Sequence, residues 1–317
     1  MLAAVLTEPK TFAIQKAAIP SIKTNEIKIK LEGCGICASS LPLWEGREWF
    51  KYPMEPGSPG HEGWGIVQEV GEDIRTISPG ERVAFLSYHA YSEYDVASEG
   101  SFVKLPRELN NKPFPGEPLG CAMNILSRSD ISAGDTVAII GIGFLGALLC
   151  QLVKSKGARV IAISRRPYSL NIAKKYGADE IIPLTSTWEI SNKVAEITGK
   201  DFCTRVIEAT GKQEAIDIAT EIVGEAGKII IAGFHQDGLR QVNMQKWNWK
   251  GIDVINAHER DPAKYISGMQ QAIDAVKGGI LDPDDLYTDV LGLDDIGKGF
   301  EITGSRPDGF MKVLVEL

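Results

Sequence analysis

The feature that most constrains the fold is a spacing of glycines near the middle of the chain. The segment AIIGIGFLG carries the pattern G-x-G-x-x-G, with Gly141, Gly143 and Gly146 in the three glycine places. An apolar segment of strand length precedes the pattern, and an apolar segment of helix length follows it. At such a turn the first glycine permits the tight bend, the second lets the backbone approach a pyrophosphate, and the third lets the helix pack on the strand. The pattern therefore predicts a dinucleotide site that includes Phe144 and Leu145.

The segments around this turn alternate between strand and helix character. From about residue 135, the stretches TVAIIG, RVIAIS, EIIPL, RVIEAT and KIIIAG are separated by stretches long enough for helices. This alternation is typical of βαβ units, in which helices cover a parallel sheet. The first ~120 residues instead contain short alternating stretches broken by glycine and proline. The C-terminal GFMKVLVEL predicts a closing strand that need not belong to the parallel sheet, so the 317 residues indicate an α/β chain of two domains.

The end of the second strand in this alternation indicates which dinucleotide is bound. An Asp or Glu about 20 residues beyond the glycines would bind the ribose 2′-OH of NAD. The chain has Ser164, Arg165 and Arg166 there, and a hydroxyl with two guanidinium groups suits a 2′-phosphate, which a carboxylate would repel. We therefore predict a preference for NADP(H) over NAD(H). The alternative interpretation is two solvated arginines after a strand.

Later strands of the alternation are followed by Thr210, Gly233 and His235. Ligands of open parallel sheets gather at the carboxyl ends of the strands. We therefore expect these three residues to complete the cofactor site, with His235 on its nicotinamide side.

Three short motifs ahead of the glycines carry thiol, imidazole and carboxylate groups. Cys37 lies in GCGICASSL, His61 and Glu62 lie in PGHEGWGIVQEVG, and Glu117 lies in GEPLGCAMN. Zinc binds such groups, and a catalytic zinc keeps one position open to water or substrate. In these motifs the chain resembles the medium-chain dehydrogenase/reductase superfamily, within its zinc-dependent alcohol and polyol dehydrogenases. The family patterns are G-[IV]-C-G-[ST]-D, G-H-E-x-x-G-x-V-x-x-V-G and E-P-L-x-x-x-x-[HND].

The resemblance covers the whole chain and implies its domain organisation. It implies a GroES-like, β-rich catalytic domain formed by residues 1–121 and 258–317, and a doubly wound Rossmann domain formed by residues 122–257. Many relatives carry a four-cysteine lobe that binds a structural zinc after the GERV segment. The segment GERVAFLSYHAYSEYDVASEG contains no cysteine. We therefore expect one catalytic zinc per chain and no structural zinc.

The resemblance also implies the zinc ligands. Cys37 and His61 supply the thiolate and the imidazole, and by similarity to polyol and threonine dehydrogenases Glu117 takes the third place. Glu62 is then a hinged carboxylate that enters the metal's coordination when water leaves. Cys121, four residues after Glu117, is the rival for the third place.

The implied catalytic residues are Cys37, His61 and Ser39, whose hydroxyl would bind the substrate oxygen and start a proton relay. Two positions depart from the family pattern. Ser40 stands where an Asp usually supports the metal ligands, and Pro42 stands where some relatives have a relay histidine. The proton would then leave through water or ribose hydroxyl groups.

Composition excludes several other classes of function. The net charge is −8 and no run of Lys and Arg could follow a phosphate backbone, which argues against nucleic acid as a partner. The N-terminus lacks the basic region of a secretory signal. The apolar run from residue 137 to 153 is interrupted by glycines and is shorter than the ~20 residues of a membrane span. Five scattered cysteines favour a reducing compartment, and we predict the cytoplasm.

The leading hypothesis is a zinc-dependent, NADP-preferring dehydrogenase that acts on a small alcohol, polyol or sugar, or on the matching carbonyl compound. By resemblance we expect a homodimer or homotetramer that pairs through the edge of the Rossmann sheet. One alternative is a zinc-free quinone or enoyl reductase of the same fold, against which the Cys, His and Glu set argues. The other is a nucleotide-binding relative without turnover.

Overall fold

The chain divides into two compact units. The computed structural model describes residues 1–317. The first unit comprises Met1–Gly120, Asp261–Lys277 and Pro283–Leu317, and the second comprises Cys121–Arg260 and Gly278–Asp282. The boundaries expected from the sequence differ from these by a few residues, and whether they delimit folding domains stays a prediction.

Fifteen strands and nine α-helices make up the regular structure. The strands are β1 (Leu2–Glu8), β2 (Thr11–Lys16), β3 (Glu26–Gly35), β4 (Gly63–Val70), β5 (Arg82–Phe85), β6 (Tyr94–Ser98), β7 (Phe102–Lys104), β8 (Thr136–Ile140), β9 (Arg159–Ser164), β10 (Glu180–Pro183), β11 (Cys203–Glu208), β12 (Val223–Ile231), β13 (Asp253–Asn256), β14 (Tyr287–Gly292) and β15 (Lys312–Glu316). The helices are α1 (Leu41–Glu45), α2 (Gly116–Ser129), α3 (Phe144–Ser155), α4 (Pro167–Lys175), α5 (Thr187–Thr198), α6 (Gln213–Ile222), α7 (Met244–Lys250), α8 (Pro262–Lys277) and α9 (Ile296–Ser305).

The first unit is the GroES-like domain, built on a seven-stranded sheet. Its strand order is β14-β15-β3-β4-β5-β7, with β6 also paired to β3, and all pairs except β14–β15 are antiparallel. The closing strand β15 belongs to this sheet, as the sequence allowed. Gly65 lets β3 and β4 approach closely, because a Cβ there would lie 2.2 Å from the carbonyl oxygen of Lys30. The core of this unit includes the ring contact of Trp44 with Phe300.

The second unit is the Rossmann domain, with six parallel strands in the order β10-β9-β8-β11-β12-β13. The chain runs outwards from β8 to β10 and then returns to β11 beside β8, so the strand order reverses between β8 and β11. Strands β8 and β9 are apolar and buried along almost their whole length, as expected for a sheet covered on both faces. The carboxyl ends of β8 and β11 therefore flank the crevice in which sheets of this kind bind ligands.

The apolar run considered for a membrane span is two elements. Its first part is strand β8 and its second part is helix α3, joined by the glycine turn. No helix of the protein combines the length and the apolar character that crossing a membrane requires.

Candidate metal centre and dinucleotide site

Three metal-binding side chains meet in the first unit. One ligand atom each from Cys37, His61 and Glu62 lies within 4.8 Å of the others. Cys37 follows the end of β3 and precedes a short 3-10 helix, whereas His61 and Glu62 directly precede β4. The antiparallel pairing of Cys34 with Gly63 brings these two segments together. Thiolate, imidazole and carboxylate are ligands that zinc accepts, so the donor set fits a zinc ion.

The imidazole of His61 is held in one orientation. Its Nδ1 lies 3.0 Å from the carbonyl oxygen of Pro59, which can only accept, so Nδ1 carries the proton and donates it. This leaves the Nε2 lone pair available to a metal, as in most histidine ligands. Burial alone lowers the pKa of His61, but the hydrogen bond and charge of Cys37, followed by the charges of Glu117 and Glu62, raise it to about 10. The site therefore favours a positive charge at Nε2, which either a proton or a metal ion can supply, and the two compete for this nitrogen.

Ser39 contacts the thiol group directly. Its hydroxyl donates a hydrogen bond to Cys37 Sγ across 3.1 Å. Both residues are half-buried, and Ser40 next to them is buried. The predicted catalytic hydroxyl is thus placed beside the predicted metal ligand.

Glu62 forms a buried ion pair that the sequence did not indicate. Strand β15 pairs with β3 so that Ile36 donates to the carbonyl of Val313, which brings Lys312 to the end of β3. Lys312 Nζ lies 2.7 Å from Glu62 Oε1 and 2.5 Å from Oε2. The hydrogen bond of Lys312 is directed at Oε1, so Oε2 is held by the ion pair alone, which suits a carboxylate oxygen that could also bind a metal ion.

The electrostatics of this pair match its contacts. Burial lowers the pKa of Lys312, but the charge of Glu62, with those of Cys37 and Glu117, raises it above its ordinary value. The carboxylate also fills the space above Gly35, where a Cβ would lie 1.9 Å from Glu62 Oε2. Position 35 therefore has no room for a side chain while Glu62 keeps this orientation.

Glu117 lies in the first turn of α2, and it does not belong to the compact triple of ligand atoms. Its charge nevertheless raises the pKa of both His61 and Lys312, so its carboxylate is close to the centre. Cys121 follows one turn later on the same helix and is half-buried. The choice between these two as the third ligand stays a prediction.

The glycine turn in the second unit has the shape of a phosphate cradle. Gly141 has φ +99°, and a Cβ there would lie 2.4 Å from Thr210 Cγ2. At Gly146 a Cβ would lie 2.1 Å from the carbonyl oxygen of Gly141, whereas at Gly143 it would meet no atom within 4 Å. Helix α3 begins at Phe144, and no side chain caps its first turn. The first N–H groups of an α-helix have no acceptor within the helix, so this helix start fits a dinucleotide phosphate.

The end of β9 carries the residues expected to select the cofactor. Ser164 is buried, and Arg166 precedes α4 in the N-cap position. Helix α4 has no acidic residue in its first turn and no side-chain cap, so its N-terminus also favours an anion. Arg165 is exposed and lies 3.3 Å from Glu214, which partly offsets its charge. No carboxylate occupies the place that binds the ribose 2′-OH of NAD.

A fully buried carboxylate, Glu208, ends strand β11. Its Oε1 accepts hydrogen bonds from the backbone and hydroxyl of Thr210, both 2.6 Å, and from the Gly211 amide, 2.9 Å. Its Oε2 lies 2.9 Å from His235 Nε2, and Arg240 Nε donates to His235 Nδ1 across 3.0 Å. Both ring nitrogens of His235 are therefore engaged within the protein.

Two family models match the chain in separate segments. A model described as "Alcohol dehydrogenase GroES-like domain" matches residues 23–107. A model described as "Zinc-binding dehydrogenase" matches residues 145–277. The first segment contains the Cys37 and His61 motifs, and the second begins within the glycine turn.

The relatives that match this chain over most of their length are dehydrogenases. Alcohol dehydrogenase of Geobacillus stearothermophilus is 32% identical over 338 residues, which cover 95% of this chain and 95% of the relative. Sorbitol dehydrogenase of Halalkalibacterium halodurans is 28% identical over 300 residues, covering 84% of this chain and 86% of the relative. Among solved structures, 2R,3R-butanediol dehydrogenase from Bacillus subtilis superposes with a TM-score of 0.86 at 26% identity, covering 100% of this chain and 99% of that one.

Sequence reasoning missed Lys312, Glu208 and Arg240. A signal existed for the first two, because each is a charged residue at one end of an apolar stretch of strand, in FMKVLVEL and RVIEAT. Such a charge is rarely buried without a partner. Arg240 carried no signal, since it lies in a polar segment without regular structure.

Proposed function

The chain belongs to the zinc-type alcohol dehydrogenases of the medium-chain dehydrogenase/reductase superfamily, and we propose that it transfers a hydride between NADP(H) and an alcohol, polyol or sugar, or the matching carbonyl compound. The observation that carries the proposal is the meeting of Cys37, His61 and Glu62 in a chain that also has an open glycine cradle. We propose one zinc per chain, held by Cys37, His61 and Glu117, with Glu62 beside it.

When bound, zinc would polarise the substrate oxygen and the nicotinamide ring would exchange the hydride. The protein's own groups prepare this reaction. The Ser39 hydroxyl donates a hydrogen bond to the Cys37 sulfur, and the Pro59 carbonyl accepts one from His61 Nδ1, so Nε2 is the nitrogen that would bind the metal. Ser39 Oγ lies 3.1 Å from Cys37 Sγ, and we assign to it the role of first acceptor of the proton of an alcohol substrate.

Preference for NADP(H) is supported by the residues at the end of β9. Ser164 presents a hydroxyl where NAD-binding chains present a carboxylate, and Arg165 and Arg166 add positive charge at the uncapped N-terminus of α4. The exposed ion pair of Arg165 with Glu214 is weak and leaves the guanidinium available for a 2′-phosphate.

The oligomeric state and the cellular compartment are each proposed from one feature of the structure. Strand β13 ends the parallel sheet with its outer edge unpaired, and Val254 on it is 40% exposed. We propose that two copies pair through this edge, which light scattering would test with Val254→Lys as the disrupting variant. All five cysteines are free thiols, which supports a reducing compartment such as the cytoplasm.

Metal analysis with a substrate screen tests the proposed activity. Protein expressed with added zinc is expected to hold about one zinc per chain. A panel of alcohols, polyols and sugars, assayed with both nicotinamides by absorbance, is expected to yield turnover with NADP. Cys37→Ser is the matched control, because it should lose zinc and turnover and keep dinucleotide affinity. Zinc content near zero would contradict the metal site. Normal zinc and dinucleotide binding without turnover on any substrate would favour a relative that has lost catalysis.

A further inference from the structure

Three hydrogen-bonded side chains join two loops at the carboxyl edge of the parallel sheet. One loop follows β11 and leads to α6, and the other follows β12 and leads to α7. Glu208 ends strand β11, and His235 and Arg240 lie in the segment between β12 and α7. Arg240 can only donate, so Nδ1 of His235 is the acceptor and the ring proton is on Nε2, which donates to Glu208. A neutral imidazole thus links a buried carboxylate to a guanidinium. We call this arrangement the Glu-His-Arg clasp.

The clasp holds the two loops in close contact. Arg240 Nη2 donates to the carbonyl of Gly211 across 2.8 Å, so the guanidinium spans from one loop to the other. A Cβ on Gly233 would lie 2.3 Å from the Gly211 amide nitrogen and 2.6 Å from Glu208 Oε2. The loops therefore touch through backbone atoms, with the buried carboxylate between them.

The position of the clasp relates it to one half of the dinucleotide. The strand order reverses between β8 and β11, and a dinucleotide crosses such a reversal. Ser164 at the end of β9 lies on the adenosine side of that crossing, so the other half passes over the ends of β11 and β12. These ends carry Thr210 and Gly233, which flank the clasp.

We propose that the Glu-His-Arg clasp is the positioning device for the nicotinamide half of the cofactor. His235 and Arg240 act through the backbone of residues 210–211 and 233–234, because the ring nitrogens of His235 are engaged internally. Without the clasp the contact between the two loops loosens, and the nicotinamide ribose and ring lose part of the surface that orders them. The adenosine half, held at the glycine turn and at Ser164, is bound as before. The inference rests on the proposed dinucleotide-dependent function.

Two substitutions of His235 separate positioning from simple packing. Leucine at this position fills similar space but offers no hydrogen bond. Glutamine can donate to Glu208 through its amide nitrogen and accept from Arg240 through its amide oxygen, so it can rebuild the clasp. Lys212→Ala is the matched control, since it breaks only the exposed ion pair of the same two loops, Lys212 with Asp237.

The experiment is calorimetric titration of the full-length protein with NADPH and, separately, with 2′,5′-ADP, which represents the adenosine half. We expect His235→Leu to raise the Kd of NADPH about tenfold and that of 2′,5′-ADP by less than about twofold. His235→Gln should keep both Kd values within about threefold of wild type. Lys212→Ala should match wild type. Arg240→Met should repeat the leucine result, and it serves as the second variant if His235→Leu does not fold.

If His235→Leu weakens the binding of both ligands equally, or does not weaken the binding of NADPH, the positioning role is overturned. Failure of glutamine to restore NADPH affinity would also overturn it, because the hydrogen-bond chain would then not be the cause. A wild-type protein that binds neither NADPH nor NADH contradicts the proposed function instead, so the two failures are distinguishable.

Discussion

Lys312 and Glu62, separated by 250 positions in the chain, form an ion pair in which both side chains are withdrawn from solvent. Two charges in such a place are stable only together, because each has given up its hydration. Glu62 also lies next to Cys37 and His61, so the charges of the pair contribute to the electrostatic environment of a metal ion bound there.

Replacement of Lys312 by methionine is expected to destabilise the zinc-free protein by about 3–5 kcal/mol, since it leaves a buried carboxylate without a counterion. Urea unfolding followed by tryptophan fluorescence measures the change. Lys312→Arg keeps the charge and should cost less. The double variant with Glu62→Gln should recover part of the loss, and a loss below about 1 kcal/mol in Lys312→Met would show that the pair is not buried as described.

Alanine at two glycines of the turn should separate binding from stability. At Gly143 a methyl group meets no protein atom and the φ of −92° is ordinary, so Gly143→Ala should change stability by less than about 0.5 kcal/mol. It should weaken dinucleotide binding about tenfold, because the methyl group enters the space of the pyrophosphate. Gly146→Ala should destabilise by about 1–3 kcal/mol, because its methyl group overlaps the Gly141 carbonyl. Titration with the dinucleotide measures binding, and thermal unfolding measures stability, for both variants. Equal effects of the two substitutions on binding and on stability would contradict the prediction.

Ser164→Asp is expected to lower the ratio of kcat/KM for NADP to that for NAD by at least about tenfold, through repulsion of the 2′-phosphate and a new acceptor for the ribose hydroxyl. Steady-state rates with both cofactors give the ratio. Ser164→Ala, which removes the hydroxyl without adding charge, should change the ratio much less. An unchanged ratio in the aspartate variant would refute the assignment of cofactor preference to this strand end.

Thiol titration should distinguish the metal ligand from the core cysteines. Burial raises the pKa of Cys150 and Cys203 to about 12 and raises that of Cys34 well above its ordinary value. A raised thiol pKa favours the protonated form at every pH below it, so at pH 8 Cys150 and Cys203 stay protonated. A disulfide reagent should therefore label only Cys37 and Cys121 in native, zinc-free protein.

Zinc should then protect Cys37, which lowers the number of labelled thiols by about one. The Cys37→Ser variant is the control, since zinc should give it no such protection. Labelling of a third thiol before the protein unfolds would contradict the burial of the core cysteines.

The parts of this protein that were predictable from its sequence are those set by local pattern. The glycine spacing and the alternation of apolar strands with helices predict the Rossmann domain, because each βαβ unit is specified by neighbouring residues. The motifs around Cys37 and His61 likewise indicated zinc chemistry. Their meeting depends on the pairing of β3 with β4, which the sequence suggested only through the family resemblance.

The parts that were not predictable depend on register between distant segments. Nothing near Glu62 in the sequence identifies Lys312, whose position follows from the pairing of β15 with β3. His235 was expected to contact the cofactor, and that role stays to be tested, but its ring nitrogens are directed at Glu208 and Arg240. Side-chain hydrogen bonds of this kind depend on loop conformation, which a single sequence does not specify.

The occupied space above Gly35 restricts how this enzyme could be engineered. Mutant libraries that aim at new substrates usually diversify every position around a reactive centre. Here, any larger residue at 35 would displace a carboxylate oxygen and with it the lysine ammonium that neutralises it. Diversity is better placed at Tyr88, whose ring lies 5.9 Å from that of His61 and which is 70% exposed to solvent.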